Sequence, residues 1–451
     1  MKTGKRLTIA GYIVAGILAA AGELVWLGDP IRIGAYYWID AIELLYGLLA
    51  VVPLLWLTGA ILNWKREKSP GAISRATKLI IIIVSGVTIV AIFWPARNLT
   101  ATGSLLASGW LLTMIDLTWA EYRSGLRWLR PCLIRVAVMS AAAWLLFWPT
   151  AYEVTVPGFT LDMNRYAQVE GGAAKGSITG VLVIGRPAFP IDWLYDRLLP
   201  HIDRNKRDVS QSIGEQLSAA HSQRASANEI AAAVALHKLG LGRGVTSDGV
   251  RILLVSSESP AEGSLQAGDL LTKLNGKTVT SVAELAEAMK NVVPARNVTV
   301  TLIRDGGVMS LAVPTQASEE EPERAVFGIQ VEDHAQADVT RTIDFRSYLV
   351  YQGGPSHGAV LALTLMDQLS EGGVTYGNRV AATGTIDGDG AVGLIGGIEQ
   401  KAYVVERAGA DVFFVPWEQA DEARAGSSTL NIVPVRTLDD MLMWLREHPK
   451  R

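Results

Sequence analysis

The chain has 451 residues, a formal net charge of −3 and a single cysteine, Cys132. This length exceeds one ordinary core, so several domains are expected. The near-neutral charge, without a basic stripe, argues against nucleic-acid binding, and one cysteine excludes an intramolecular disulfide and a cysteine-based metal cage.

Residues 1–150 are predicted to form a multi-pass transmembrane anchor. Ten of the thirteen tryptophans lie there, and several sit at the ends of apolar stretches, as interfacial belts do. Five such stretches approach the roughly 20 residues that a bilayer span requires. The fourth is the weakest, because it is short and contains Asp116. The predicted spans are residues 7–27, 41–63, 78–95, 103–119 and 132–149.

The basic residues of the short loops predict the orientation of these spans. Alternate loops carry twelve Lys and Arg residues against two in the loops between them. The N-terminus is therefore predicted to be cytoplasmic, and everything after residue 150 to lie outside the cytoplasmic membrane. The twelve are Lys2, Lys5, Arg6, Lys65, Arg66, Lys68, Arg75, Lys78, Arg123, Arg127, Arg130 and Arg135, and the two are Arg32 and Arg97.

Three acids in the predicted spans, Glu23, Glu43 and Asp116, raise the alternative of a transporter, because intramembrane acids often serve function. All three lie near span ends, where solvation is cheap. An anchor with interfacial carboxylates is the favoured interpretation.

Residues 151–242 are predicted to form a small α+β connector. Residues 152–157 and 176–185 have the composition of strands. Residues 225–239 predict a helix, because apolar side chains recur at i, i+3, i+4 and i+7.

Residues 243–316 resemble a bacterial PDZ domain, which is a β-rich fold. The resemblance rests on Ser-Pro-Ala at 259–261, Ala-Gly-Asp-Leu-Leu at 267–271 and Asn-Gly-Lys at 275–277. Asn275-Gly276 is also a hairpin signal in its own right. PDZ domains bind extended peptides by strand addition, although no clean Gly-Φ-Gly-Φ carboxylate loop precedes the first strand here. A spacer without ligand is the alternative. Residues 317–324 are charged and predict a solvated linker.

Two segments of the last predicted domain, residues 325–451, combine the features of a nucleophile and a base. Gly353 and Gly354 permit unusual backbone angles, and Pro355 suits a helix start. Ser356 then lies at a helix N-terminus, where free amides can stabilise an oxyanion. By itself, this pattern is also typical of ordinary helix capping.

The second segment leads into a helix whose first turns contain Lys401. A desolvated lysine near a positive helix end has its neutral form favoured. A neutral amine can take the proton of a serine hydroxyl. A single lysine on a helix is most often only an exposed side chain.

Together, "GGPSHG", "VAATGTIDGDGAVGLIGGIEQK" and "RAGADVFFVP" resemble, in order and spacing, the α+β proteolytic domain of Lon proteases. The resemblance is greatest to membrane-anchored, PDZ-containing Lon-like proteases. It implies that Ser356 is the nucleophile, that Lys401 is the general base and that Thr383 contacts the lysine. Gly354 and Pro355 support the serine. It also implies a possible homo-oligomeric ring.

His357 departs from the family pattern, which usually has alanine after the serine. A histidine beside the nucleophile invites a Ser–His mechanism, but adjacent residues at a helix start point in different directions. His357 is therefore treated as a neighbour that tunes the site.

Neither a cofactor nor a metal is expected. The chain has no Gly-x-x-x-x-Gly-Lys-Ser/Thr motif, so activity independent of ATP is predicted. Asp387-Gly-Asp-Gly390 predicts a hairpin turn rather than a calcium loop, and no His-Glu-x-x-His zinc motif occurs.

The predicted function is that of a serine endopeptidase acting on exposed or unfolded extracytoplasmic protein segments, with protein or peptide substrates docked on the PDZ domain. The first alternative is a non-catalytic membrane scaffold that binds partner tails through the PDZ domain. A trypsin-like protease is a weaker alternative, because no suitable His–Asp pair precedes the serine.

Overall fold

The computed structural model describes residues 2–33, 36–67, 71–94, 98–123, 129–207, 213–256, 259–318, 321–349 and 354–450. Lys68, Arg97 and Arg127, which entered the prediction of orientation, lie outside these ranges.

Helices occupy each of the five predicted spans, the second of which is divided in two. A two-stranded ribbon, β1 (Arg32–Ile33) with β2 (Tyr36–Tyr37), lies between the first two spans. The helices are α1 (Lys2–Leu24), α2 (Asp40–Leu48), α3 (Val51–Arg66), α4 (Ala72–Phe93), α5 (Leu99–Arg123) and α6 (Leu129–Phe147).

Three helical stretches in the described part of the chain are long and apolar enough to cross a bilayer, namely Thr3–Gly28, Asp40–Arg66 and Ala72–Phe93. They coincide with the first three predicted spans. The apolar part of α6, Cys132–Phe147, is shorter, and α5 contains Asp116. Spans at α5 and α6, and the orientation of the bundle, stay predictions.

Two of the three acids that suggested a transporter have basic partners. Lys78 Nζ lies 2.9 Å from Asp116 Oδ1, and both side chains are buried. Glu23 pairs with Arg186, beyond the membrane segments. A buried carboxylate requires a compensating charge or hydrogen bond, and these basic partners supply it, so the two pairs account for these acids as structural contacts.

Residues 151–242, which were predicted to form an α+β connector, do not form a separate unit in the structure. Three of their strands belong to one six-stranded sheet with strands from the C-terminal domain, in the order β20-β19-β16-β5-β3-β6. The elements of this segment are β3 (Tyr152–Asp162), α7 (Met163–Tyr166), β4 (Ala167–Val169), β5 (Ser177–Pro187), α8 (Asp192–Leu198), β6 (Asp203–Lys206) and α9 (Ile213–Lys238).

The PDZ domain forms a second six-stranded sheet, in the order β11-β10-β8-β7-β14 with β9 beside β8. Asn275 and Gly276 both have positive φ and join β8 to β9, which confirms the predicted hairpin. The elements are β7 (Val245–Val255), β8 (Leu270–Leu274), β9 (Lys277–Thr278), α10 (Val282–Met289), β10 (Asn297–Arg304), β11 (Gly307–Pro314), β12 (Gln316–Ala317), β13 (Ala325–Val326) and β14 (Ile329–Ala337).

The predicted linker at 317–324 does not end the PDZ domain. Strand β12 pairs with β13 across it, and β14 then pairs with β7 along the edge of the PDZ sheet. Ala325 and Phe327 are buried in the same core. The PDZ unit therefore extends to about residue 337, while residues 319 and 320 lie outside the described ranges.

The C-terminal elements complete the first sheet and cover both of its faces. Alternate residues of β19 pack into two cores, with Val412 and Phe414 on one face and Phe413 and Val415 on the other. The elements are β15 (Ile343–Phe345), α11 (Gly358–Leu369), β16 (Arg379–Ala382), β17 (Thr385–Ile386), β18 (Val392–Gly393), α12 (Ile398–Ala408), β19 (Val412–Pro416), α13 (Ala420–Gly426), β20 (Ile432–Val435) and α14 (Leu438–Glu447).

The segment between the first two spans is built into this domain. Trp26 and Ile39 are buried in the core that also contains residues of α11. The Asp29 carboxylate accepts hydrogen bonds from Thr160 N and Oγ1 at 3.1 and 3.0 Å, and burial raises the pKa of Asp29 to about 6. The adjoining ends of the first two apolar helical stretches are therefore fixed against the sheet.

Candidate active site

A 3₁₀ turn, Pro355–His357, positions Ser356 immediately before α11. Gly354 is extended and Pro355 opens the turn, as the sequence predicts, whereas Gly353 lies outside the described residues. The turn packs closely on β17, because a Cβ at Gly358 would lie 2.8 Å from Ile386 Cγ2 and 3.1 Å from its amide nitrogen. Glycine is therefore required where this turn becomes a helix.

Two backbone hydrogen bonds tie the Ser356 turn to Thr383-Gly384, which follows β16. Gly384 N donates to Ser356 O at 2.9 Å, and Ala359 N donates to Gly384 O at 3.1 Å. Gly384 has φ +151, and a Cβ there would lie 2.4 Å from Val392 Cγ1. The Thr-Gly pair thus brings two distant segments of the sequence together.

Lys401 enters the site from the first turn of α12. Gly397 begins this helix with φ +66, and Lys401 N donates to Gly397 O at 3.0 Å. The Lys401 side chain is among the largest fully buried side chains, with 2% of its surface exposed. Its Nζ donates to Thr383 Oγ1 at 3.2 Å.

Thr383 joins the lysine to the serine turn. Its hydroxyl accepts from Lys401 Nζ and donates to Ser356 O, each at 3.2 Å. The described hydrogen bonds do not include one between Ser356 Oγ and Lys401 Nζ. Catalytic hydrogen bonds often form only when substrate is present. In this structure the Lys401 amine and the Ser356 turn are both hydrogen-bonded to the Thr383 hydroxyl and are linked through it.

Burial changes the acid–base chemistry of this amine. Removal from water disfavours the charged form, and burial lowers the pKa of Lys401 from 10.5 to about 7. A substantial neutral fraction therefore exists near neutral pH. A neutral amine has the lone pair that proton abstraction from a serine hydroxyl requires.

His357 is directed away from this group and toward α9. Its Nε2 lies 2.6 Å from Asn228 Oδ1, and its Nδ1 lies 3.2 Å from Gly354 O. The ring also contacts Tyr166 edge to face, with centroids 5.7 Å apart. Burial lowers the pKa of His357 to about 4, so the ring is neutral at physiological pH and holds the turn against α9.

Asn228 is a residue that the sequence interpretation missed. It lies four residues before Ala232, on the stripe that defined the predicted helix. A polar residue that continues an apolar stripe must find a buried partner, so the signal was present. The partner, His357, lies 129 residues away in sequence, and nothing in the helix sequence identifies it.

The edge of the PDZ sheet supplies a second candidate site. Strand β14 lies at the end of the strand order and contacts α10, where Val282 N donates to Asp333 Oδ1. Phe327 and Gly328 lead directly into β14, which begins at Ile329, and Gly328 has φ +72. The sequence has no clean Gly-Φ-Gly-Φ loop before β7, and this single-glycine turn lies before β14 instead.

The Asp387–Gly390 loop is a hairpin connection. Strands β17 and β18 pair antiparallel across it, and Asp387 Oδ1 accepts from the amides of Asp389 and Ala391. This confirms the predicted turn. In the described part of the chain, no group of three or more His, Cys, Asp or Glu residues is arranged to hold a metal ion.

Comparison with known proteins identifies one domain firmly. A family model of the PDZ domain matches residues 237–315. The PDZ domain of an SdrC-like protein from Listeria innocua is 25% identical and covers 19% of this chain and 94% of that chain, with a TM-score of 0.18. Its counterpart from Listeria monocytogenes is 23% identical and covers 19% and 90%, again with a TM-score of 0.18.

Similarity to curated proteins is weak and involves two kinds of protease. A probable periplasmic serine endoprotease DegP-like from Marinomonas sp. (strain MWYL1) is 44% identical over 59 residues, 13% of each chain. Lon protease from Chloroflexus aggregans (strain MD-66 / DSM 9485) is 29% identical over 141 residues, 30% of this chain and 17% of the relative. Lon protease from Aster yellows witches'-broom phytoplasma (strain AYWB) is 29% identical over 113 residues, 23% and 14%.

The chain thus spans less than a fifth of the length of the curated relatives it matches. It contains a PDZ domain and has weak similarity to proteases, which supports a protease or peptide-binding role in general terms.

Replacing His357 by alanine is expected to lower kcat/KM for a peptide substrate by less than about tenfold, because both ring nitrogens already face Asn228 and Gly354. Removal of a general base typically costs roughly 10²- to 10⁴-fold. Asn228→Ala is the matched control and should have a similar small effect. A loss of a thousandfold in His357→Ala alone would make the histidine catalytic.

Replacing Lys401 by methionine is expected to raise the unfolding temperature, most strongly below pH 7. The pKa of Lys401 is about 7 in the folded protein and 10.5 for an ordinary lysine in water, so the unfolded state binds more protons between these values. Wild-type stability consequently rises with pH across this window, by about 1.4 kcal/mol per pH unit.

The difference in unfolding temperature between Lys401→Met and the wild type should therefore decrease from pH 7 toward pH 10. Lys290→Met removes an exposed lysine and should show no such trend. Thermal unfolding in detergent across this pH range measures both, and a gap that does not change with pH would contradict a depressed pKa for Lys401.

Proposed function

We propose that this protein is a membrane-anchored serine endopeptidase in which Ser356 is the nucleophile and Lys401 the general base. The observation that carries the proposal is the buried amine of Lys401, which is held by Thr383 beside the Ser356 turn. In the described part of the chain no carboxylate is bound to the Lys401 amine, and burying a lysine in that state is costly. Such a cost is commonly tolerated where the shifted pKa serves a reaction.

The reaction begins when substrate turns the Ser356 hydroxyl toward Lys401. The amine takes the hydroxyl proton while Oγ attacks the scissile carbonyl carbon, giving a tetrahedral oxyanion and an ammonium group. The ammonium returns the proton to the leaving amine as the C–N bond breaks, leaving an acyl-serine. Water, deprotonated by the same amine, then hydrolyses the ester and restores both side chains.

Thr383 acts in this scheme as a positioning residue. Its hydroxyl fixes the direction of the Lys401 amine and at the same time anchors the Ser356 carbonyl. Neutral lysine has two N–H bonds and one lone pair, so a fixed acceptor for one N–H determines where the lone pair can point. Gly354 and Pro355 support the turn that presents the serine.

The proposed substrates are exposed or unfolded protein segments on the extracytoplasmic side of the cytoplasmic membrane. Three apolar helices are compatible with membrane spans, and the distribution of basic residues supports a cytoplasmic N-terminus. Cleavage without ATP is proposed because the sequence lacks a phosphate-binding loop. A homo-oligomeric ring is proposed from the Lon resemblance alone.

The PDZ domain is proposed to select substrates by strand addition. PDZ domains bind peptide partners in general, and β14 is the edge strand beside α10. The loop at Phe327–Ile329 would receive the terminal carboxylate of a bound peptide. A scaffold that only binds such tails is the alternative, and it is favoured if the PDZ edge binds peptides while no hydrolysis occurs.

A trypsin-like mechanism has less support. The described histidines that contact carboxylates are His201, bound to Glu399, and His334, bound to Asp248. In the described part of the chain neither imidazole ring hydrogen-bonds a serine hydroxyl, whereas a triad requires that contact.

Alanine at Ser356 or Lys401 is expected to reduce casein hydrolysis by the purified full chain by roughly 10³-fold or more, because the two residues act as one unit. Lys401→Arg should be equally inactive, because a guanidinium stays protonated. Thr383→Val should retain partial activity. The control is Lys290→Ala on the PDZ surface, which should be unaffected. Undiminished hydrolysis in both Ser356→Ala and Lys401→Ala would refute the dyad.

A further inference from the structure

A cavity of about 630 Å³ lies between the first membrane helices and the sheet that supports the active-site turn. Helices α1 and α2 form one wall, and strands β3 and β5 form the other. Volumes of this size are typical of ligand sites. Most of the wall is aliphatic or aromatic, including Leu18, Leu45, Tyr46, Phe159, Leu182 and Ile184.

The lining of the cavity includes residues from two parts of the chain. Leu18, Leu49 and Leu99 lie in or beside the apolar N-terminal helices. Gly354, which also lines the cavity, lies two residues before Ser356. The cavity therefore borders both the apolar helices and the segment that leads into the proposed nucleophile.

The charged groups at the cavity are paired with one another. Arg186 Nη1 donates to Asp192 Oδ2 at 2.8 Å, and Nη2 donates to Asp192 Oδ1 at 2.8 Å and to Glu23. With two carboxylates already bound, this guanidinium is a poor partner for a phosphate. An uncharged, apolar occupant fits such a wall better than an anionic lipid headgroup.

Two glycines leave part of the cavity unfilled. Gly22 on α1 and Gly185 on β5 both line it, and a Cβ at either position would meet nothing within 4 Å. A side chain at either position would therefore begin in open space. Glycine at these two positions is not required by packing, and its effect is to leave space in the cavity for an occupant.

We propose that this cavity receives an extended apolar segment of a substrate protein as it leaves the membrane surface, and so presents the adjoining peptide bond to Ser356. The proposal rests on the proposed endopeptidase function. It defines the substrate class as membrane-anchored proteins cut beside their apolar segments. An extended chain fits because both a strand wall and a helix wall flank the cavity, and because its lining includes Gly354, two residues before the nucleophile.

The test compares two peptides with the same polar scissile sequence, one carrying a short extension of Leu, Val and Phe and the other an extension of Ser and Gly. The extension is placed on either side of the scissile bond in separate peptides. The wild-type chain in lipid nanodiscs should cleave one apolar peptide with kcat/KM roughly tenfold or more above its polar partner, since about one or two apolar side chains become buried.

Gly22→Leu and Gly185→Leu should bring this ratio close to one while cleavage of the polar peptide is unchanged. The matched control is Gly16→Leu on the same helix, where a Cβ also meets nothing within 4 Å but the residue does not line the cavity. This variant should keep the wild-type ratio.

The outcomes separate the two proposals. Wild-type cleavage that depends on Ser356 but shows no preference, as expected if lipid fills the cavity, would overturn the cavity proposal and leave the endopeptidase intact. A preference that survives in both Gly22→Leu and Gly185→Leu would do the same. Absence of Ser356-dependent cleavage of every peptide would overturn the endopeptidase itself.

Discussion

Desolvation of one amine is the interaction on which the site depends. Lys401 is 2% exposed, and an ammonium group in that position would lose its hydration without an ion-pair partner. Burial therefore shifts the amine toward its neutral form. Among the described residues, the side-chain partner of this amine is the hydroxyl of Thr383, which also holds the Ser356 turn. Burial of Lys401 thus lowers the stability of the folded protein and at the same time favours the neutral amine that the proposed reaction needs.

The elements packed around Lys401 exclude water from its amine. Helix α12 packs on β3 and β5, strands supplied by a segment that precedes the PDZ domain in sequence. Arg407 on the same helix donates to Leu27 O at 2.8 Å, so the end of the first apolar helical stretch also contacts the lysine helix. Three distant parts of the chain therefore assemble around one side chain, and the apolar N-terminal region is part of that assembly.

Local sequence signals predicted the elements but not their partners. The Asn275-Gly276 hairpin, the helix at 225–239 and the positions of the membrane helices follow from turn chemistry and periodicity. The pairing of β5 with β16 joins Ser177 to Arg379, and nothing in either strand specifies that match. The same limit explains why the sequence predicted the end of the PDZ domain too early. Strand β14 pairs with β7, which lies at the opposite end of the domain in sequence. Thr383 was reached only through the family resemblance, and Asn228 was not reached at all.

The rate at which a fluorophosphonate probe labels Ser356, followed from pH 4 to pH 10, tests the central claim most directly. If neutral Lys401 is the base, the rate should rise tenfold per pH unit below a midpoint near 7 and level off above it, and Lys401→Arg should abolish labelling. A midpoint near 4 would identify His357 as the base, and a rate that is independent of pH would remove the buried amine from the mechanism.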